Sequence, residues 1–132
     1  MGRDPDTGEE TSMRVAYLTL DEVNQHLALD LADQHGVSLD VQARPEDLTE
    51  RQYDAVLYDP DSFPPHERLA NLAAVLACPS DRSVAVHGYA FSTELLHLLR
   101  RRDVIVARRL EDVVFKRLVT AIQAARRQQT VA

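Results

Sequence analysis

Short apolar blocks alternate with amphipathic stretches along the chain. Five blocks are rich in β-branched and other apolar residues, and polar or turn-forming residues follow each of them. This pattern predicts β-strands. The predicted strands cover residues 13–20, 38–43, 53–58, 83–86 and 103–107. Strands that are apolar along their whole length are typical of a sheet covered on both faces.

Apolar residues at helical spacing separate most of these strands. Val23, Leu27 and Leu31 share one helix face, and Gly36 is placed to end that helix. Ser92 is a candidate N-cap for a short helix. Segment 44–52 contains a proline and several charges, so we expect a loop with one helical turn. The predicted helices cover 23–35, 69–76, 92–99 and 110–125.

Strands joined by helical connections predict parallel pairing through right-handed crossovers. We therefore expect an α/β fold of flavodoxin-like type, a three-layer sandwich whose five-stranded parallel sheet has the order 2-1-3-4-5 and carries helices on both faces. One domain is predicted over 13–127. Residues 1–12 read as a disordered acidic leader and 128–132 as a C-terminal tail. In such a sheet, ligands bind where the carboxyl ends of the first and third strands meet.

Acidic residues stand at that meeting point. Asp21 and Glu22 follow the first strand, while Asp59 and Asp61 follow the third. Crowded carboxylates either bind a divalent cation or raise the pKa of one another. With Mg²⁺ bound, one carboxylate can act as a nucleophile toward a phosphoryl group. Because Pro64 follows closely, Asp61 is predicted to be a turn or capping residue.

The segment Tyr53-Asp54-Ala55-Val56-Leu57-Tyr58-Asp59 resembles the third strand of bacterial response-regulator receiver (CheY-like) domains. The resemblance extends over most of 13–127. It implies that Asp59 stands at the phosphoacceptor position and that Asp21 and Glu22 lie in the region of the metal-binding acidic pair. Leu20 occupies a position where one of those acids is usual.

Three other positions depart from the receiver pattern. Gly88 stands where the family has a serine or threonine, Arg108 follows the fifth strand where a lysine is usual, and Ile105 replaces an aromatic residue. An arginine fork does not substitute well for a lysine ammonium. The resemblance therefore implies a degenerate pseudo-receiver of two-component signalling, a non-catalytic scaffolding module that acts through protein–protein contacts and needs no cofactor.

Two alternatives stay open at this stage. The first is an atypical receiver phosphorylated on Asp59 with Mg²⁺, bound by Asp21, Glu22 and Asp59. The second is a small enzyme that uses the carboxylate cluster. Against a mononucleotide site, no Ser/Thr/Gly-rich phosphate loop follows the first strand. His87 ends the fourth strand beside these acids, and we expect a loop histidine with local hydrogen bonds rather than a group that titrates near neutral pH.

Charge is distributed unevenly. Residues 99–127 hold nine basic and three acidic side chains, a local charge of +6. Since the whole chain has a net charge of −6, the other residues together carry −12. Basic side chains follow the predicted helix 92–99, follow the fifth strand and lie on the last helix, and together they form a predicted partner face. The alternative is that they are only solvent-exposed surface charges. This basic face consists of Arg100, Arg101, Arg102, Arg108, Arg109, Lys116 and Arg117.

These charges favour an acidic protein partner, or a second copy docking its acidic end. Nucleic-acid binding by this domain is not expected, because the chain is acidic and lacks tryptophan. No apolar run approaches the roughly 18 residues of a membrane span. The single cysteine, Cys78, is predicted to be a small packing residue. A cytoplasmic location follows as an expectation.

Overall fold

The computed structural model describes residues 12–49, 52–79, 81–89 and 91–131. The predicted leader lies outside these ranges except for its last residue. Nine regular elements are described, with 3₁₀ turns at Pro45–Thr49 and Pro60–Ser62. They are β1 (Met13–Leu18), α1 (Glu22–Gln34), β2 (Val37–Gln42), β3 (Ala55–Tyr58), α2 (Pro65–Leu76), β4 (Ser83–His87), α3 (Thr93–Leu99), β5 (Ile105–Ala107) and α4 (Asp112–Val131).

The sheet has the order β2-β1-β3-β4-β5, and every strand pair is parallel. The predicted topology is therefore confirmed. Leu18 pairs with Tyr58, and Tyr58 pairs with Val86. This register brings the carboxyl ends of β1, β3 and β4 to the same edge of the sheet.

Each face of the sheet packs against a layer of helices. Side chains such as Tyr17 and Leu57 pack with Phe115 beneath α1 and α4. Neighbouring residues point the other way, and Val56 packs with Leu72 beneath α2 and α3. All four residues of β3 are buried. A strand covered on both faces has no solvent side, which is why its sequence is apolar without alternation.

Local signals define several helix ends. The Ser92 hydroxyl oxygen accepts from the Leu95 amide (3.2 Å), as its predicted capping role requires. Gly36 has φ of +68° directly after α1, a conformation that glycine adopts without strain. The described helices include none long and apolar enough to cross a membrane.

The strands are shorter than the apolar blocks. β1 ends at Leu18, although the Thr19 amide still donates to the Gln42 carbonyl (3.1 Å). β3 begins at Ala55, and the preceding Asp54 is bonded to Arg14 twice: its side chain accepts from the Arg14 amide (2.9 Å), and its own amide donates to the Arg14 carbonyl (2.8 Å). The segment predicted as a tail continues α4 to Val131.

Arg102 fastens the end of α2 to the start of β4. Its guanidinium donates to the carbonyl oxygens of Cys78 (3.0 Å), Leu76 (3.4 Å) and Arg82. These hydrogen bonds direct the Arg102 guanidinium toward backbone carbonyls rather than toward solvent. Arg102 therefore serves the fold, unlike the exposed Arg100 and Arg101 beside it in the predicted partner face.

Replacing Arg102 with alanine is expected to lower the free energy of unfolding by about 2 kcal/mol, because charge-assisted hydrogen bonds to partly buried carbonyls are lost. Arg101→Ala is the matched control and should change it by less than about 0.5 kcal/mol. Urea unfolding followed by circular dichroism measures both. Equal losses from the two variants would contradict this role for Arg102.

Candidate functional site

A cleft of about 340 Å³ opens at the carboxyl edge of the sheet. Three of the four predicted acids line it, and Glu22 does not: its side chain is exposed on α1. The register of the parallel strands explains the convergence. The cleft residues are Asp21, Asn24, Asp59, Asp61, Ser62, His87, Gly88, Tyr89, Arg108, Arg109 and Leu110.

Asp59 follows β3 directly and is only 2% exposed. Its backbone amide donates to the Leu18 carbonyl (3.0 Å), which extends the β1–β3 pairing by one bond. Its Oδ2 accepts from the Thr19 hydroxyl (2.9 Å) and from Asn24 Nδ2 (3.0 Å). The carboxylate at the phosphoacceptor-like position is thus held by two neutral donors, one directly after β1 and one in the first turn of α1.

Ser62 joins the two connections that flank the cleft. Its hydroxyl donates to the Asp59 carbonyl (2.9 Å) and accepts from the Leu20 amide (2.9 Å). The Thr19 hydroxyl oxygen lies 3.3 Å from Ser62 Oγ and accepts from the Asp21 amide (3.1 Å). These bonds satisfy buried backbone groups and fix the position of Asp59.

Asp21 caps α1, since its Oδ1 accepts from the Asn24 amide (2.9 Å). Of the residues implied for a metal site, the structure brings Asp21 and Asp59 to the cleft and leaves Glu22 outside it. Within the described ranges, no group of three or more His, Cys, Asp and Glu side chains is placed to hold a metal ion. The carboxylates of Asp21 and Asp59 both accept hydrogen bonds from the protein.

Asp61 reaches across the cleft to the loop after β4. Its Oδ2 accepts from the Tyr89 amide (2.8 Å), whereas its buried Oδ1 has no hydrogen-bond partner in the described part of the chain. Arg68 steadies the turn by donating to the carbonyls of Phe63 (2.9 Å) and Asp61 (3.4 Å). Asp61 was expected to act within its own turn, but its carboxylate contacts a distant loop.

His87 lies within β4 and is 4% exposed, so the expectation of a loop histidine is wrong. Its Nε2 is 2.6 Å from the Tyr17 hydroxyl, which reaches across β3. Burial lowers the pKa of His87 below 6.5, although the Asp59, Asp61 and Asp21 carboxylates oppose the shift. Burial, reinforced by Asp59, raises the pKa of Tyr17 above its ordinary value. Both rings are therefore uncharged at neutral pH.

The positions where the sequence departs from the receiver pattern also surround this edge. Gly88 lines the cleft, and its amide donates to the Ala107 carbonyl (3.0 Å). Arg108 lines the cleft with an exposed side chain. Ile105 is in β5 and packs against the core. Lys116, the single lysine of the chain, pairs with Asp112 (3.3 Å) and does not line the cleft.

The other members of the basic face are placed as the sequence suggested. Arg100, Arg101, Arg109 and Arg117 are exposed, as are Arg108 and Lys116. Exposed apolar side chains accompany them, because Val106 in β5 is 43% exposed and Val113 on α4 is 46% exposed.

Sequence reasoning missed Thr19, Asn24, Ser62 and the pairing of Tyr17 with His87. A usable signal was present for Thr19, which continues the alternation of Val15 and Tyr17 toward one face. No comparable signal identified Asn24 or Ser62, because each contacts another connection of the sheet.

The imidazole of His87 is expected to titrate below pH 6.5, because burial disfavours its charged form. Since the unfolded chain takes up the proton near pH 6.5, the stability contributed by neutral His87 is lost as pH falls from there toward its lower folded-state pKa. Long-range ¹H–¹⁵N spectra across a pH series measure the titration. Tyr17→Phe should cost about 1 kcal/mol without raising this pKa above 6.5. Titration of His87 at or above 6.5 in the wild type would contradict the assignment.

No family model and no curated protein matches the sequence. Solved structures do match. The response regulator receiver domain (CheY-like) from Methanospirillum hungatei has a TM-score of 0.73 at 13% identity, over 89% of this chain and 99% of that one. The CheY-like receiver domain from Methylobacillus flagellatus has a TM-score of 0.65 at 16% identity, over 85% and 99%.

A third neighbour is the receiver domain of a sensor histidine kinase from Pseudomonas aeruginosa, described with a magnesium ion coordinated in its active site cleft. It has a TM-score of 0.64 at 13% identity, over 86% of this chain and 99% of that one. Identities this low show a shared fold. The chain described above has the flavodoxin-like fold of CheY-like response-regulator receiver domains.

Proposed function

We propose that this receiver-fold protein is a pseudo-receiver, a signalling or scaffolding module that binds a protein partner without a phosphorylation cycle at Asp59. The observation that carries the proposal is the engagement of the Asp59 carboxylate by Thr19 and Asn24. Both donors are neutral, and they stand on either side of Asp21 in the sequence, Thr19 before α1 and Asn24 in its first turn.

Electrostatics support the proposal. Phosphoryl transfer is catalysed by positioning the phosphoryl group and stabilising its charge with cations and fixed donors. In this cleft, the carboxylates of Asp21, Asp59 and Asp61 surround any incoming anion. The nearby cations are Arg108 and Arg109, whose side chains extend into solvent. Solvent screening weakens their attraction for a buried oxyanion.

A phosphoacceptor role is the second candidate, and one observation favours it. Asp59 follows β3 and lines the cleft, where a phosphodonor could approach. The Pseudomonas aeruginosa neighbour is described with magnesium in the corresponding type of cleft. For this chain, Mg²⁺ binding remains a proposal that Asp21 and Asp59 would have to support.

A small enzyme is less well supported by the contacts at the cleft. The imidazole of His87 lines the cleft, and its Nε2 is hydrogen-bonded to the Tyr17 hydroxyl. A general base must reach the proton that it removes, and this nitrogen is already bonded.

The basic face supplies the binding surface in this proposal. Its six exposed basic residues suit an acidic protein partner or the acidic cleft edge of a second copy. A cytoplasmic location fits the single free cysteine, Cys78, and is part of the same proposal.

Incubation with acetyl phosphate and millimolar Mg²⁺ should leave the wild type unmodified, because the Asp59 carboxylate is hydrogen-bonded and no lysine lines the cleft. Intact-mass spectrometry detects an added phosphoryl group, and ¹H–¹⁵N spectra with beryllofluoride detect a bound analogue. A conventional receiver domain treated in parallel is the positive control. An adduct that Asp59→Asn abolishes would establish the phosphoacceptor alternative.

Charge reversal on the basic face should weaken partner binding without unfolding the protein. Arg101→Glu and Arg108→Glu together are expected to reduce partner capture, or self-association, by about tenfold. The change in unfolding free energy should stay below about 0.5 kcal/mol for each substitution. Quantitative pull-down and sedimentation velocity measure the two kinds of association.

Arg127→Glu is the matched control, since Arg127 is an exposed arginine of α4 outside the basic face. It should leave association unchanged. If the control weakens binding as much as the double variant does, net charge rather than this face determines the association.

A further inference from the structure

We propose that Asp61 is a tethered anion that fills an oxyanion position at the Tyr89 amide and so keeps phosphate groups out of the cleft. The inference deepens the pseudo-receiver proposal and rests on it. In this inference, Asp61 acts by occupying the position that an oxygen of a phosphate group would otherwise take.

The contact with Tyr89 is the first observation. The Asp61 Oδ2 accepts from the Tyr89 amide at 2.8 Å, within the range of a charge-assisted hydrogen bond. The two residues come from different connections, after β3 and after β4. A backbone amide facing the cleft could otherwise donate to an oxygen of a bound anion.

The unpartnered Oδ1 is the second observation. It is buried and has no hydrogen-bond partner among the described residues, which costs free energy for a carboxylate oxygen. Arg68 secures the turn through the Asp61 carbonyl and does not contact the carboxylate.

Gly88 provides the space that Asp61 uses. A Cβ at position 88 would lie 3.2 Å from both carboxylate oxygens of Asp61. The carboxylate thus lies where a side chain of residue 88 would begin. The Asp61 carboxylate can therefore occupy this position because residue 88 has no side chain.

Charge explains why vacating this position should admit a ligand. Removing Asp61 leaves Asp21 and Asp59 in the cleft, opposite Arg108 and Arg109. The freed Tyr89 amide then adds a fixed donor. A tetrahedral oxyanion is the class of ligand that such donors and guanidinium groups bind.

The test is a ¹H–¹⁵N titration with inorganic phosphate that follows the Tyr89 amide. The wild type should show no saturable shift at this amide. Asp61→Ala should bind phosphate at least about tenfold more tightly than the wild type, as expected when a charge-assisted contact is freed. Asp61→Asn is the matched control: it removes the charge, but its amide oxygen still accepts from Tyr89, so its phosphate affinity should stay clearly below that of Asp61→Ala.

Gly88→Ala perturbs the contact between Asp61 and Tyr89 without changing either residue. It therefore tests the inference even if the Asp61 variants do not fold. The added Cβ should push the carboxylate back by a few tenths of an ångström and weaken its hydrogen bond to the Tyr89 amide, so this amide should exchange with deuterium faster than in the wild type. Unchanged exchange in Gly88→Ala, or equal phosphate affinity in Asp61→Ala and Asp61→Asn, would overturn the tethered-anion inference.

The outcomes separate this inference from the proposed function. Phosphorylation of the wild type on Asp59 would overturn both. If the wild type stays unphosphorylated and Asp61→Ala gains no phosphate affinity, the pseudo-receiver proposal stands and the role of Asp61 falls.

Discussion

The parallel pairing of β1 with β3 is the constraint on which the site depends. Because Leu18 pairs with Tyr58, the next residues along each strand, Thr19 and Asp59, leave the sheet side by side. Their hydrogen bond of 2.9 Å follows from this register. A shift of one residue would turn the side chains of either strand to the opposite face and separate the pair. The same register brings Asn24 to Asp59 through α1.

Polar groups at this edge are arranged around neutral partners rather than opposite charges. Thr19 and Asn24 hold Asp59, Tyr17 holds His87, and the Tyr89 amide holds Asp61. Neutral donors satisfy hydrogen-bonding capacity without cancelling the charge of the carboxylates. The cleft therefore keeps its three carboxylates without buried counter-charges, and the exposed Arg108 and Arg109 of the basic face also line it.

The pattern of apolar blocks was sufficient to predict a parallel sheet, because a sheet covered on both faces demands apolar strands and crossover helices between them. It also placed Asp59 correctly at the carboxyl edge. The strand ends were overestimated where Leu20 and Tyr53 are apolar but lie beyond the ladder. The contacts of Asp61 with Tyr89 and of Tyr17 with His87 could not be predicted, since each joins separate segments through the tertiary register. Arg102 shows the same limit, because a basic run does not reveal which guanidinium turns inward.

The brevity of β5 has a consequence for how a partner can approach. Three residues, Ile105–Ala107, form this outermost strand, so its free edge exposes few unpaired backbone groups. Incoming strands need a longer row of such groups to extend a sheet. A protein that bound this side would therefore contact side chains rather than the strand edge, so its affinity would depend on side-chain shape and charge and would be sensitive to single substitutions.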